Sequence, residues 1–475
     1  MEMFDKLKKG FFYTAIGIYA NFIVQLLIST ILSRLLTPES YGVVAIIQVF
    51  IIFFSMLVEA GMGPAIIQNK KLTDNDYRIL FNYSAIFAVF LALFFGVFGL
   101  VLSGVYGNSV YQKLTWIQAI SVFFNGLNVV PTAILNKEKK FREVNFSILI
   151  STLLGGIIGI SAALSGAGVY SLIFSAIIIS LVKLFLNLLF TKLKFSKKFD
   201  RKVLNYILDY SKNQFGFNFV NYFTRNADNI LIGKFMGADS LANYNRAYQL
   251  LLLPNTLFLG IVNPVLQPVF SEYQDEVNYI RNVYYKIIHF LALLGIPLSI
   301  FLCINAKEII FFMFGKQWDK AIAPFQVLAL TVWIQMTYST TGALVQSRNQ
   351  PKILMKNGLI TAFICVSAIV IGVIGGSILF VSISLSIGFL VNFLVTFYRV
   401  TKYSLEDNLG NLLKRFISPF YLGVIMLILL KLVKKIDISN VFISLVLNGV
   451  VFLVVLVLYI YFTKEKKIII ALFKK

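Results

Sequence analysis

Of the 475 residues, 58% are hydrophobic and 13% charged, and the apolar ones arrive in long blocks instead of amphipathic periods, which excludes an ordinary soluble domain. The formal net charge is +22. Because the cations are spread over many short connections between blocks, membrane topology and contact with anionic lipid headgroups account for them, and a nucleic-acid role is not expected.

Blocks of about 20 apolar residues are read as membrane spans. In chain order the first set covers 10–33, 41–67, 78–102, 114–135, 144–164 and 168–190. The first block lacks a small-residue cleavage site and is too long for a signal-peptide core, so it is expected to be retained. Lys6, Lys8 and Lys9 precede it. Lys70, Lys71 and Arg78 lie between the second and third blocks, and Lys137, Lys139, Lys140 and Arg142 between the fourth and fifth. The segment TKLKFSKKFDRK leads into a second set at 206–233, 241–268, 283–304, 321–346, 353–374 and 377–398. Two further blocks, 412–430 and 438–462, bring the predicted total to about 14. The tail ends in Lys464, Lys466, Lys467, Lys474 and Lys475. With an even count all these cations fall on one side, while the alternate connections LSGVYGNSVYQK and SGAG are nearly free of them. The positive-inside rule then predicts that both termini are cytoplasmic.

The second set reads as a copy of the first. At one constant offset Arg34 meets Lys234, Glu39 meets Asp239, Ser40 meets Ser240, Asn21 meets Asn221 and Pro64 meets Pro264. At a slightly larger one, Ser121 meets Thr331, Asn125 meets Gln335 and Asn136 meets Gln346. An even number of spans per copy makes the copies parallel, with a site expected between them. The expected fold is therefore an all-α integral membrane protein. Two six-helix bundles, 1–195 and 196–403, surround a central cavity, and two additional helices occupy 404–475.

Polar stripes mark what such a cavity would face. In the seventh predicted span Gln214, Asn218, Asn221, Arg225 and Asp228 recur at helical spacing on one face. The fourth carries Gln118, Ser121, Asn125, Asn128 and Thr132, the tenth Thr331, Gln335, Tyr338, Gly342 and Gln346, and the first Asn21, Gln25 and Ser29. Amide and hydroxyl groups in membrane helices also serve as interhelical hydrogen bonds, so each stripe has two readings, a wet chamber or helix stitching. A charge near the bilayer centre costs about 2.5–3.5 kcal/mol on insertion scales, which singles out Arg225 and Asp228; at i, i+3 they can also neutralise one another as a structural pair. The eighth span opens with Asn243, Tyr244, Asn245, Arg246 and Gln249, where its counterpart has Val43, Val44, Ala45, Ile46 and Val49. A chamber would thus be richer in cationic and amide groups in the second half. Arg34 and Lys234 read either as juxtamembrane anchors or as ligands of an outer vestibule. Glu59 reads either as a proton or cation carrier or as a satisfied neutral acid.

His289, without obvious acidic company, reads as a packing residue, and Cys303 and Cys365 fit neither a disulfide framework nor a metal site. No GxxxxGK[ST] loop is present, so no nucleotide or other cofactor is expected.

The stretches RNADNILIGKFMGADSLANYNRAYQLLLLP (225–254), FGKQWDKA (314–321) and LSRLLTPESYGVVA (32–45) resemble the polysaccharide transport branch of the multidrug/oligosaccharidyl-lipid/polysaccharide exporter superfamily, close to Wzx-type and teichuronic acid or colanic acid exporters. The resemblance implies a flippase of the bacterial cytoplasmic membrane. It would carry an undecaprenyl-diphosphate-linked oligosaccharide of capsule, O-antigen, exopolysaccharide or teichuronic acid type to the outer leaflet by alternating access, beside a glycan polymerase and export machinery. Arg225 and Arg246 suit a diphosphate, because the planar guanidinium can hold two oxygens. Asn21, Gln25, Asn125, Asn128, Asn218, Asn221, Gln335 and Tyr338 offer sugars neutral hydrogen bonds. Asp228 and Glu59 are the candidates for coupling to a proton or sodium gradient. One rival is an extruder of small cationic drugs, which Arg225 and Arg246 argue against. The other is a membrane-embedded glycan polymerase, for which the outer connection at about 305–320 is short.

Overall fold

The computed structural model describes residues 2–69, 72–201, 222–223, 225–436, 438, 440–463 and 465–466. Every regular element among them is helical, as a lipid environment requires of open chain: inside a bilayer each backbone N–H and C=O must find a partner within its own segment.

The chain order begins with α1 (Glu2–Leu35), α2 (Pro38–Gln68), α3 (Asp74–Tyr106), α4 (Val110–Lys137), α5 (Phe141–Leu164) and α6 (Tyr170–Thr191). Local chemistry sets their ends. Thr37 caps α2 by accepting from the Ser40 amide at 3.3 Å, with Pro38 opening the helix. Thr73 and Asp76 form a reciprocal capping box at the start of α3, and Gly107 closes that helix with φ 66°. After the connection come α7 (Ala227–Glu272), α8 (Val277–Ile304), α9 (Ala306–Met313), a 3-10 turn at Lys316–Ala321, α10 (Ile322–Ala329), α11 (Val332–Tyr338) and α12 (Thr341–Ser347). The chain finishes with α13 (Pro351–Ile374), α14 (Ile378–Tyr403), α15 (Leu409–Leu413), a 3-10 turn at Lys414–Phe416, α16 (Ile417–Val433) and α17 (Val441–Phe462). Within α7, Gly237 sits at φ 82° and ψ 172°, a backbone region that only glycine enters cheaply, and the helix kinks there.

Among the described residues 11 helices are long and apolar enough to cross a membrane, or up to 12 when the pair Lys316–Ala329 and Val332–Ser347, bent by 50°, is taken as one broken span. The expected 14 are not all recovered. The seventh, 206–233, falls largely on residues outside the described set, and the eighth, 241–268, lies inside the 46-residue α7. The tenth is not a straight helix but the bent α10–α12 run.

Contacts group the chain into two compact units, Met1–Ala242 and Asn243–Lys475. In the first, α4 is the central helix: it packs on α2, α3 and α6, while α1 lies on α5 and α5 on α6. Two thirds of its membrane window (67%) is buried, against 33% for α3. Its buried face holds Thr115, Gln118, Ser121 and Asn128. In the second unit α8 plays this part, packed against α10, α11 and α16, with α13 on α14 and α17 on α9 and α16. Trp333 anchors this core, its ring 5.2 Å from Phe393 and 5.5 Å from both Phe416 and Phe420. The outward faces are apolar, with Phe90, Ile157, Phe363 and Ile374 exposed. That inversion suits a lipid solvent, which gives apolar side chains no reason to hide and drives polar and small groups inward.

Candidate functional site

In the first unit the polar stripes divide between the two readings. Asn128 is buried, and its Oδ1 accepts from Asn187 Nδ2 at 2.9 Å; the same amide donates to Thr132 Oγ1 at 3.1 Å. Asn187, fully buried on α6, was not singled out from sequence, yet it ties the lower stripe of α4 to its neighbour. Asn125 is half-buried and donates to Ser121 Oγ at 3.4 Å, one turn back on its own helix. On α1, Asn21 is half-buried and Gln25 exposed.

The charged candidates separate clearly. Arg225 is exposed and Asp228 is buried. Among the described residues no ion pair joins the two, and the Asp228 carboxylate accepts from the Asn229 amide at 2.8 Å. Arg34 and Lys234 are exposed, and Lys234 Nζ donates to the Val105 carbonyl at the end of α3. Glu59 lies on α2, but its side chain is outside the described set, as are Asn218 and Asn221.

In the second unit Arg246 is buried, with its charge at 4.8 Å from the Phe314 ring centre and 5.0 Å from that of Trp318. Its Nη1 donates to Gln249 Oε1 at 2.8 Å. A guanidinium between desolvated rings gains about 2 kcal/mol from the ring quadrupoles. The Arg246 segment of α7 is thereby locked to the Phe314–Trp318 turn, where Gly315 takes φ 102°. The charged end of Arg246 thus meets two rings and an amide of the second unit. Gln335 and Tyr338 are half-buried on α11. The Tyr338 hydroxyl is 2.9 Å from Thr361 Oγ1, which donates to Asn392 Oδ1 at 2.8 Å. Beside Tyr338 a cleft of about 200 Å³ opens between the α11–α12 run and α13.

His289 contradicts its reading as a packing residue without acidic company. Its Nδ1 lies 2.6 Å from the Arg415 carbonyl and its Nε2 2.6 Å from Glu465 Oε2. Facing a carbonyl, Nδ1 must carry a proton and donate it. Glu465 Oε1 accepts from Ser418 Oγ at 2.5 Å. Burial pushes the Glu465 carboxyl up, and the bonds from His289 and Ser418 outweigh it and hold it below the usual carboxylate range. Nearby, Asp407 accepts from Tyr285 Oη and Asn411 Nδ2, each at 2.8 Å, with Arg281 Nε at 4.0 Å. Desolvation raises that carboxyl, but the amide of Asn408 and these partners bring it below its ordinary value. Both knots tie the first half of α8 to residues more than a hundred positions away, and only the carboxylates themselves could be seen in the sequence. No cluster of three metal-ligating side chains occurs among the described residues.

Residues 31–323 match the family of polysaccharide biosynthesis proteins. The chain belongs to that family. The match spans the stretches that carried the resemblance, including Arg225, Arg246 and the Phe314–Trp318 turn on which Arg246 stacks. Over 477 residues the chain is 23% identical to an uncharacterized membrane protein in the cps region of Klebsiella pneumoniae, with 95% of each chain covered. It is 24% identical over 423 residues to the teichuronic acid biosynthesis protein TuaB of Bacillus subtilis, covering 89% of this chain and 87% of that one. Its fold is similar to that of the lipid II flippase MurJ in an inward closed conformation, at a TM-score of 0.77 and 17% identity over 96% of this chain and 99% of the other. The all-α, multi-pass membrane fold expected of this polysaccharide biosynthesis family is thus the observed one.

Proposed function

We propose that the protein is a flippase, not an enzyme, which moves an undecaprenyl-diphosphate-linked oligosaccharide from the inner to the outer leaflet of a bacterial cytoplasmic membrane by alternating access. The observation that carries this reading is the family match over 31–323, together with near full-length similarity to a teichuronic acid biosynthesis protein.

The chemistry of the candidate residues supports it. A diphosphate needs cations that solvent, and so a headgroup, can reach. In the first unit the exposed charged candidates, Arg34, Arg225 and Lys234, are all positive, whereas Asp228 is buried. A drug extruder handling organic cations would favour the opposite sign, so this distribution disfavours the rival within transport. Arg225 is assigned to the headgroup because a guanidinium can pair with two phosphate oxygens at once. Arg246, stacked between rings, is assigned a supporting part. Asp228 and Glu59 remain the proposed carriers of a coupling proton or sodium ion, and the Lys and Arg distribution favours cytoplasmic termini. A glycan polymerase and export machinery are the proposed partners.

The test supplies a fluorescent undecaprenyl-diphosphate-linked oligosaccharide to vesicles containing the wild type, Arg225→Lys or Arg225→Ala. The wild type should expose label to an outside quencher, Arg225→Lys should slow this modestly, and Arg225→Ala should slow it about ten-fold, the loss of one charge-assisted contact. A wild type that leaves the label where it started overturns the flippase reading. An Arg225→Ala variant as fast as wild type overturns only the headgroup assignment.

A further inference from the structure

Resting on the flippase reading, we infer that the cleft beside Tyr338 is a subsite for a single neutral sugar ring of the lipid-linked substrate. The cleft encloses about 200 Å³. That is room for about six waters at roughly 30 Å³ each, and it lies below the roughly 300–1,000 Å³ of pockets that hold drug-sized molecules. One ring fits, and a longer glycan must run out of it.

Its lining is uncharged and mixed: Tyr338, Ser339, Thr341 and Asn357 bring polar groups to a wall that is otherwise largely apolar, with Val345 and Leu354 in it, and no Asp, Glu, Lys or Arg takes part. A diphosphate would find no counter-charge there, whereas a sugar ring suits both parts of the lining, its C–H face against the apolar wall and its hydroxyls against the few polar groups. The hydroxyls have already committed their protons. Ser339 Oγ donates to the Met336 carbonyl at 3.0 Å and Thr341 Oγ1 to the Tyr338 carbonyl at 2.7 Å. Their oxygens are left as acceptors.

Asn357 supplies the complementary donors. Its side chain is 94% buried, being 6% exposed, and Arg399 Nε donates to its Oδ1 at 2.7 Å. That bond fixes which end of the amide is oxygen. The Nδ2 group then has no hydrogen-bond partner among the described residues, and it is the end left for whatever fills the cleft. An amide held in one orientation by an arginine, with its donors left over at the cleft, is ready to bond the hydroxyl of a ligand there. A pyranose does so, since each hydroxyl both donates and accepts.

The two glycines shape the floor. A Cβ built on Gly342 or on Gly358 meets nothing within 4 Å, so both sit beside open space and not beside a helix they must let approach. Bare backbone at these points leaves a flat surface for the C–H face of a ring. Asn357 and Gly358 lie in the first turns of α13 after Pro351. On the proposed orientation that end is cytoplasmic, the side on which lipid-linked sugars are presented.

The test is binding, read by native mass spectrometry of the full-length protein in detergent, with two probes: undecaprenyl diphosphate and undecaprenyl diphosphate bearing one hexose. Two variants alter the cleft without removing a packing contact. Gly358→Leu fills it and also raises helix propensity, and Asn357→Asp keeps an oxygen for Arg399 while deleting the amide donors. The wild type should hold the hexose form about ten-fold more tightly than the bare lipid, as one or two net hydrogen bonds allow. Both variants should bring the two probes to within about two-fold while binding bare lipid as the wild type does. A wild type with no preference, or variants that keep it, overturns the subsite. Failure of the wild type to bind either probe overturns the flippase reading and the subsite with it. A melting curve on each variant separates loss of the preference from loss of the fold.

Discussion

Replacing Glu465 by alanine removes the carboxylate that closes the His289 knot. The side chain is 6% exposed and that of His289 10%, so the bonds at 2.6 Å to His289 and 2.5 Å to Ser418 are made largely out of water. Each hydrogen bond to a charged group is worth about 1.5–3 kcal/mol. Part of that is returned because the variant no longer desolvates a carboxylate, but it strands the imidazole Nε2. A net loss of about 3 kcal/mol follows, at the lower end of what breaking a buried pair costs. For a unit of the size of Asn243–Lys475 this lowers the melting midpoint by about 6 °C, at roughly 2 °C per kcal/mol. Glu465→Gln, which can donate to a neutral imidazole and still accept from Ser418, should cost about 1 kcal/mol. The assay is the apparent melting midpoint of purified protein in detergent, run at matched heating rates because unfolding of such proteins is commonly irreversible. Its pH dependence adds a second check. The folded Glu465 carboxyl is held below its ordinary value, so its contribution is complete above the ordinary carboxylate pKa and is lost as the pH falls through the lowered one. The gap between wild type and Glu465→Ala should therefore close on acidification below about pH 4. A variant that melts within about 1 °C of wild type at neutral pH, or a gap that widens in acid, refutes the assignment.

Asn187→Leu should destabilise by about 1–3 kcal/mol by leaving the buried Asn128 oxygen without its donor. The double variant Asn128→Leu/Asn187→Leu should recover most of that in the same melting assay; if it transports lipid-linked oligosaccharide normally, Asn128 is a stitch between α4 and α6 and not a sugar ligand. Gly42→Ala should lower the melting midpoint by the equivalent of about 1–3 kcal/mol, because its Cβ would fall 1.8 Å from the Ala238 carbonyl oxygen. Gly63→Ala on the same helix, where a Cβ meets nothing within 4 Å, is the control, and equal melting of the two variants would disprove the close approach.

The helical membrane class and the family were legible in the chain. Apolar blocks of bilayer length can satisfy their backbone only as helices, and Thr37, Thr73 and Gly107 mark their ends by local chemistry that needs no tertiary partner. The polar stripes were legible as faces but not as environments. Helical spacing places Asn125, Asn128 and Thr132 on one side of α4, yet whether that side meets water or another helix depends on what the neighbour offers, and Asn187 lies 59 residues away. Glu465 lies 176 residues from His289, and the rings that cover Arg246 sit on a separate turn. Sequence alone therefore determined that charged and amide groups enter the apolar helices at these positions. Tertiary structure decided which of them are spent: a buried polar group is held by whichever partner folding brings within about 3 Å, and that proximity is set by helix packing, which no local pattern records.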